Sequence, residues 1–181
     1  MRPLPLLAAI LTLPMLATPV IAQKQPRDPL TPVQANKIAE ASIDPSARVG
    51  LYTKYLNEHA DEIKALAKRA DTRARSQKLA SDLEDLADLM DELGSNLDVY
   101  SDRKADIRKA LKPLSDSIQR WQTILKELPS EPGFDLERTD AMDSSNDLAD
   151  QTKQLIEVQD AYFKEHKDLK GQERAEPPGH E

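Results

Sequence analysis

The chain has three histidines and no cysteine, so histidine is its main candidate for metal chemistry. His59 lies between Leu56 and Ile63, where a helix would present apolar residues, and His166 lies near the end of the last predicted helix. Two histidines on different helices can share a metal ion, which makes His59 and His166 the candidate ligands of a metal-binding bundle. Such sites use three or four ligands, however, and the sequence places no third ligand beside this pair.

A cluster of cations is the second feature that could do chemistry. Its members are Arg103, Lys104, Arg108, Lys109 and Lys112. Clustered cations bind an acidic partner or an anionic envelope polymer such as lipopolysaccharide. Alternatively, the cluster is the solvated side of a helix. Trp121, the chain's single tryptophan, is either a core residue or an anchor for a partner.

The sequence lacks the motifs of the common catalytic and cofactor sites. Covalent haem attachment and thiol catalysis both need cysteine, which the chain does not contain. There is no Gly-x-Ser-x-Gly nucleophile elbow, and five glycines hardly suffice for a glycine-rich phosphate loop. We therefore predict a protein that is not an enzyme and carries no cofactor.

The formal net charge of −7 at pH 7 limits the partners that the chain can have. Binding to nucleic acid or to anionic lipid needs Lys and Arg in net excess, which this composition does not supply. We therefore expect no nucleic acid among its partners. The expected partner is another protein or a second copy of the chain, bound through helix faces.

The element that must position these residues is an apolar seam, which advances in alternating steps of three and four residues. Its positions are Leu83, Leu86, Met90, Leu93, Leu97, Tyr100, Lys104, Ile107, Leu111, Leu114, Ile118, Trp121, Leu125 and Leu128. This spacing is typical of a helix with coiled-coil packing. Only Lys104 breaks the seam, and a lysine at such a position limits the register or the oligomer that forms.

Capping signals predict where the first helices begin. Thr31-Pro32 starts a short helix that reaches about residue 42, and Asp44-Pro45 starts a long helix that reaches about residue 70. The apolar pattern then shifts its phase by one residue. We therefore predict an interruption near residues 71–77.

The seam predicts the second half of the fold. It keeps its register through Gly94, so we predict one helix from about 77 to 128, kinked at Pro113. Pro and Gly at residues 129–133 predict a turn before a last helix over 135–169. The fold class is all-α, an elongated antiparallel bundle of three long helices plus a short N-terminal one. A four-helix bundle results if the chain instead turns at Gly94.

The N-terminus has the pattern of a secretory signal peptide. Arg2 precedes an apolar run from Leu4 to Leu16, and small residues lead to a cleavage site after Ala22. We therefore expect export to the periplasm or the medium, with no membrane span after cleavage. The predicted divisions are a signal peptide over 1–22, a flexible lead-in over 23–30, a helical bundle over 31–169 and a disordered tail over 170–181.

These features together predict an exported, non-catalytic helical protein with a protein-interaction, structural or chaperone-like role in the cell envelope. The chaperone-like version requires part of the apolar seam to remain exposed for hydrophobic clients. The alternative is the metal-binding or small-ligand-binding bundle that uses His59 and His166.

Overall fold

The computed structural model describes residues 28–169, which form an all-α bundle, as the sequence predicts. In chain order the helices are α1 (Pro32–Glu40), α2 (Pro45–Ala67), α3 (Arg73–Asp102), α4 (Arg108–Glu127) and α5 (Asp135–Glu165). Short 3₁₀ turns follow α1 and α5, at Ala41–Ile43 and Lys167–Leu169. The predicted signal peptide (1–22) and the predicted tail (170–181) lie outside the described residues.

Local side chains determine where the first two helices begin, which confirms the predicted capping signals. At α1, the Gln34 amide donates to Thr31 Oγ1 at 3.3 Å, and the Thr31 amide donates to Gln34 Oε1 at 2.9 Å. At α2, the Ala47 amide donates to Asp44 Oδ1 at 2.8 Å. These bonds satisfy amides that the first turn of a helix otherwise leaves unpaired.

The predicted interruption between the first two long helices exists, a few residues earlier than expected. The chain leaves helical geometry between Ala67 and Arg73, whereas the sequence pattern placed the break near residues 71–77. Thr72 caps the next helix, since its Oγ1 accepts a hydrogen bond from the Arg75 amide at 3.2 Å.

The prediction of one helix from 77 to 128 is wrong. Helix α3 ends at Asp102, the chain turns through residues 103–107, and α4 begins at Arg108. The alternative turn at Gly94 is also wrong, because Gly94 lies within α3 and faces α5. A Cβ at this glycine would lie 3.1 Å from Gln151 Oε1, so its lack of a side chain lets the two helices approach closely. The bundle therefore has four long helices.

Each long helix runs antiparallel to the next one in the chain. Hydrogen bonds between α2 and α4 join Ser46 to Asp106 and Asn57 to Ser117, so these two helices run in the same direction. Helices α2 and α5 each contact both α3 and α4. The four long helices of residues 28–169 thus form two hairpins, α2–α3 and α4–α5, with α3 and α4 diagonally opposed.

The apolar seam forms the centre of the core. Every apolar position of the seam is buried, whereas Lys104 is exposed. Leu30, which the sequence placed in a flexible lead-in, is also buried and extends the core beneath the N-terminal segment. Among residues 28–169, no helix is long and apolar enough to cross a membrane.

Candidate functional site

The turn between α3 and α4 places most of the predicted cation cluster at one end of the bundle. Lys104 lies in this turn with a φ of +55°, a left-handed backbone conformation that is uncommon for a residue with a side chain. Gln159 of α5 holds the turn from inside. Its Nε2 donates to the Ala105 carbonyl at 2.8 Å, and the Ile107 amide donates to its Oε1 at 3.1 Å.

Arg108 is held inside this corner and its charge is paired. Its Nε donates to Asp106 Oδ1 at 2.7 Å, and a terminal nitrogen donates to Oδ2 at 2.5 Å. The guanidinium also lies 4.5 Å from the ring centre of Phe163. The Asp106 carboxylate raises the pKa of Arg108. Arg108 thus joins α4 to α5 instead of presenting an unpaired charge to solvent.

The other cations of the cluster point outward. Arg103, Lys104, Lys109 and Lys112 are all exposed. Lys112 lies 3.9 Å from the exposed Asp116 carboxylate, a separation at which an exposed pair contributes little. Lys104 Nζ lies 5.8 Å from the ring centre of Tyr162. The structure therefore places these four cations on the outer surface at one end of the bundle.

Two further exposed cations lie at the same end of the bundle, in the last turn of α5 and in the turn after it. Lys164 and Lys167 are exposed beside Tyr162 and Phe163, the aromatic residues that contact Lys104 and Arg108. Sequence reasoning missed both lysines because they lie more than 50 residues along the chain from the cluster. We name these six exposed cations the basic corner: Arg103, Lys104, Lys109, Lys112, Lys164 and Lys167.

Most charges of the basic corner have no anionic partner within the described residues. In residues 28–169, no carboxylate lies within 4.0 Å of the side-chain nitrogens of Arg103, Lys104, Lys109, Lys164 or Lys167. By contrast, Arg75, Arg108 and Arg120 each contact a carboxylate.

A groove between α4 and α5 begins beside the basic corner. Its first part has a volume of about 380 Å³ and is bounded by Arg108, Lys112 and Asp160. A second part of about 340 Å³ shares Ser115 and Ile156 with the first and continues towards the other end of α4. The groove therefore offers an apolar floor with charged walls next to the exposed cations.

The two candidate metal ligands, His59 and His166, are not brought together. His166 stacks on Tyr162 with ring centres 4.2 Å apart, at the end of the bundle where α2 begins. His59 lies about 20 Å further along α2, at 1.5 Å per residue from Pro45, and its Nε2 is 3.1 Å from the Pro29 carbonyl oxygen. Within residues 28–169, no group of three or more His, Asp or Glu side chains is placed to hold a metal ion.

Trp121 is part of the core and does not reach the surface. Its side chain is fully buried, and its indole N–H donates to Asn57 Oδ1 at 2.9 Å. The same oxygen accepts from Arg120 at 3.0 Å, and the Asn57 amide nitrogen donates to Ser117 at 3.3 Å. Asn57 thus fixes the position of α4 on α2, a role that sequence reasoning missed.

Comparison of the chain with models of known protein families, with curated proteins and with solved structures found no significant match.

Proposed function

We propose that this is an exported, non-catalytic binding protein that holds an acidic segment of a partner protein against its basic corner. The observation that carries this proposal is the contrast between charges inside the bundle and charges at its corner. Arg75 and Arg108, which lie against the bundle, are paired with carboxylates, whereas Arg103, Lys104 and Lys109 point outward with none among the described residues.

Coverage of the apolar seam favours a partner that binds the outer faces. All of its apolar positions are buried by the helices of the same chain. A chaperone-like protein that holds hydrophobic clients on the seam would need some of these positions exposed. The proposal therefore takes the protein-interaction version of the predicted role, with the partner bound outside the core.

The N-terminus of α4 gives an electrostatic reason for an acidic partner. Its first turn carries Arg108 and Lys109, has no acidic residue and lacks a side-chain cap on the residue before it. Cations near a helix N-terminus lie at the positive end of the helix dipole, which costs about 0.3 to 1 kcal/mol each. Asp106 offsets this cost for Arg108. A partner's carboxylate would do the same for Lys109.

The neighbouring groove favours a protein segment over a polyanion such as lipopolysaccharide. Its walls carry Asp116, Asp150, Glu157 and Asp160 in addition to their cations, so a uniformly anionic polymer would be repelled there. A segment with acidic residues beside apolar ones fits both surfaces. Its carboxylates would contact the basic corner, and an apolar side chain would lie over Ile156.

The experiment uses the whole chain and a labelled helical peptide of Glu and Leu, with a peptide of Gln and Leu as its control. We expect only the Glu peptide to bind, with an affinity that falls as salt is added because the contact is ionic. Reversing two charges, Arg103→Glu with Lys109→Glu, should weaken binding at least about tenfold, or roughly 1.4 kcal/mol.

Lys68→Glu with Lys126→Glu is the matched control, because it also reverses two charges, at exposed lysines of the opposite end of the bundle. It should change the affinity less than about twofold, as surface charges far from an interface do. Equal weakening by both changes, or equal binding of the Glu and Gln peptides, would overturn the proposal. Binding of lipopolysaccharide but not of the Glu peptide would also overturn it.

A further inference from the structure

We propose that the chain also forms a domain-swapped dimer, in which the turn over residues 103–107 straightens and joins α3 and α4 into one helix. Each α4–α5 hairpin then packs on the α2–α3 hairpin of a second copy. The closed, single-chain bundle and the open dimer contain the same helix contacts, made within one chain or between two.

The register of the seam carries this inference. The seam advances through Leu97, Tyr100, Lys104, Ile107 and Leu111 in steps of three and four, although the structure breaks the helix between 102 and 108. A turn requires no such continuity. In one straight helix, the continuous register of the seam would place the buried faces of α3 and α4 on the same side. Two antiparallel copies of the chain need both faces on that side.

The turn itself has the properties of a hinge. Its residues Arg103, Lys104 and Ala105 are favourable helix formers, and it contains neither Gly nor Pro. Lys104 adopts a left-handed backbone conformation, which is costly for a residue with a side chain. A short hinge loop under strain favours domain swapping, because opening the loop relieves the strain.

Tertiary contacts add to the local backbone bonds that close the turn, such as that of the Ala105 amide to the Tyr100 carbonyl at 2.9 Å. Gln159 bonds to Ala105 and Ile107 from inside, and Ser46 Oγ donates to the Asp106 carbonyl at 3.2 Å. In a continuous helix these backbone groups would bond within the helix instead. Gln159 is thus a latch that stabilises the closed form alone.

A second copy of the chain is the only partner that this opening fits. The surfaces that α2 and α3 would expose are already complementary to α4 and α5, because they pack together in the closed bundle. Their contacts include the bidentate pair of Arg75 with Glu131 and the hydrogen bond of Asn57 with Trp121. A second copy supplies these groups in the same geometry.

The test compares refolding at low and at high protein concentration, followed by sizing with light scattering. We expect monomer alone after dilute refolding, and a dimer of twice the mass after concentrated refolding. Exchange requires the α4–α5 hairpin to leave its own chain, so each species should persist after isolation and dilution.

Cross-linking distinguishes a swapped dimer from one that forms by surface contact. The chain has no cysteine, so Asp61→Cys with Arg120→Cys introduces a single thiol pair at an exposed ion pair between α2 and α4. A short bis-maleimide should join these thiols within one chain in the monomer. In the isolated and diluted swapped dimer, it should join two chains and give a covalent dimer on a denaturing gel.

One substitution in the hinge and one at the latch should shift the equilibrium between monomer and dimer in opposite directions. Glycine accepts the left-handed conformation of the closed turn, and it disfavours each opened helix about fivefold. The swapped dimer contains two hinges, so Lys104→Gly should raise the dissociation constant of the dimer on the order of 30-fold. Gln159→Ala removes the latch and should increase the dimer fraction.

Gln151→Ala is the matched control for the latch. This glutamine of α5 also donates to a backbone carbonyl, that of Gly94, but at an α3–α5 contact that both forms retain. Circular dichroism would check that the Gln151→Ala variant is folded. Its dimer fraction should equal that of the natural chain. The proposal would be overturned if the natural chain and Gln159→Ala both gave only monomer after concentrated refolding. It would also be overturned by a dimer that cross-links only within chains. Peptide affinity and dimer formation are measured separately, so this failure would leave the proposed function standing.

Discussion

The buried guanidinium of Arg75 forms a bidentate ion pair with Glu131 across one end of the bundle. Its two terminal nitrogens lie 2.9 and 3.0 Å from the two carboxylate oxygens, and its side chain is only 6% exposed. Arg75 follows the α2–α3 turn and Glu131 lies in the α4–α5 turn, so the pair joins the two hairpins. It lies at the end opposite the α3–α4 turn.

Removing one partner of this pair should be strongly destabilising, because the other charge stays buried. Glu131→Ala should lower the free energy of unfolding by about 3 kcal/mol, the low end for a broken buried pair, since Asp71 still contacts Arg75 at 3.3 Å. The double change Arg75→Leu with Glu131→Leu should cost less than the two single changes added together. Urea unfolding of the natural chain, Arg75→Leu, Glu131→Leu and the double variant measures this, and simple additivity would show that the pair is not coupled.

Asn57 should contribute to stability through Trp121. Asn57→Ala leaves the buried indole N–H without its acceptor, which should cost about 1 to 3 kcal/mol. Trp121 is the only tryptophan, so its fluorescence reports this site alone. We expect blue-shifted emission that acrylamide barely quenches in the folded chain. Efficient quenching of the native protein would contradict the buried position of the ring.

Tyr52 should make stability depend on alkaline pH. Burial and its 2.5 Å hydrogen bond to Glu92 raise the pKa of Tyr52 from 10 to about 12. The pKa of Tyr52 is higher in the folded state than in the unfolded state. Its contribution to the free energy of unfolding is therefore complete below pH 10 and is lost as the pH rises through 12. Tyr52→Phe should flatten this part of the stability curve measured by urea unfolding. An equally steep alkaline loss in Tyr52→Phe would disprove the assignment.

Two glycines should respond to alanine in opposite ways. Gly50 lies within α2 with open space around its missing Cβ, so Gly50→Ala should stabilise the fold by about 0.5 to 1 kcal/mol through helix propensity. At Gly133, a Cβ would approach Ser76 Cβ to 3.0 Å, so Gly133→Ala should destabilise the turn. Thermal unfolding compares the two variants, and a rise in melting temperature for Gly133→Ala would contradict the packing of this turn.

Local signals in the sequence predicted what local interactions determine. Thr31 and Asp44 each cap a helix through residues three positions away, and the apolar spacing of the seam predicted its burial. The turn at 103–107 could not be predicted in this way. Arg103 and Lys104 favour a helix, the seam keeps its register, and Gln159, whose side chain holds the turn from inside, lies more than 50 residues away.

The candidate site shows the same limit. The sequence grouped Arg108 with the exposed lysines because they are close in the chain, but Asp106 and Phe163 hold it in the corner. Conversely, Lys164 and Lys167 belong to the basic corner only because α5 returns to the α3–α4 turn. Neither relationship has a local signal. The polar Gln159, which lies on the apolar stripe of α5 between Leu155 and Phe163, was a visible sign of a buried contact.

The basic corner is tested most directly by an NMR titration of the isotope-labelled chain with the peptide of Glu and Leu. If an acidic segment binds there, the amide signals of residues 103–112 and 164–167 should shift together and saturate, while those of the α2–α3 turn at 68–72 stay in place. The Arg103→Glu and Lys109→Glu double variant should remove these shifts. Saturable shifts centred on another face, or shifts that persist in the double variant, would contradict the proposed binding surface.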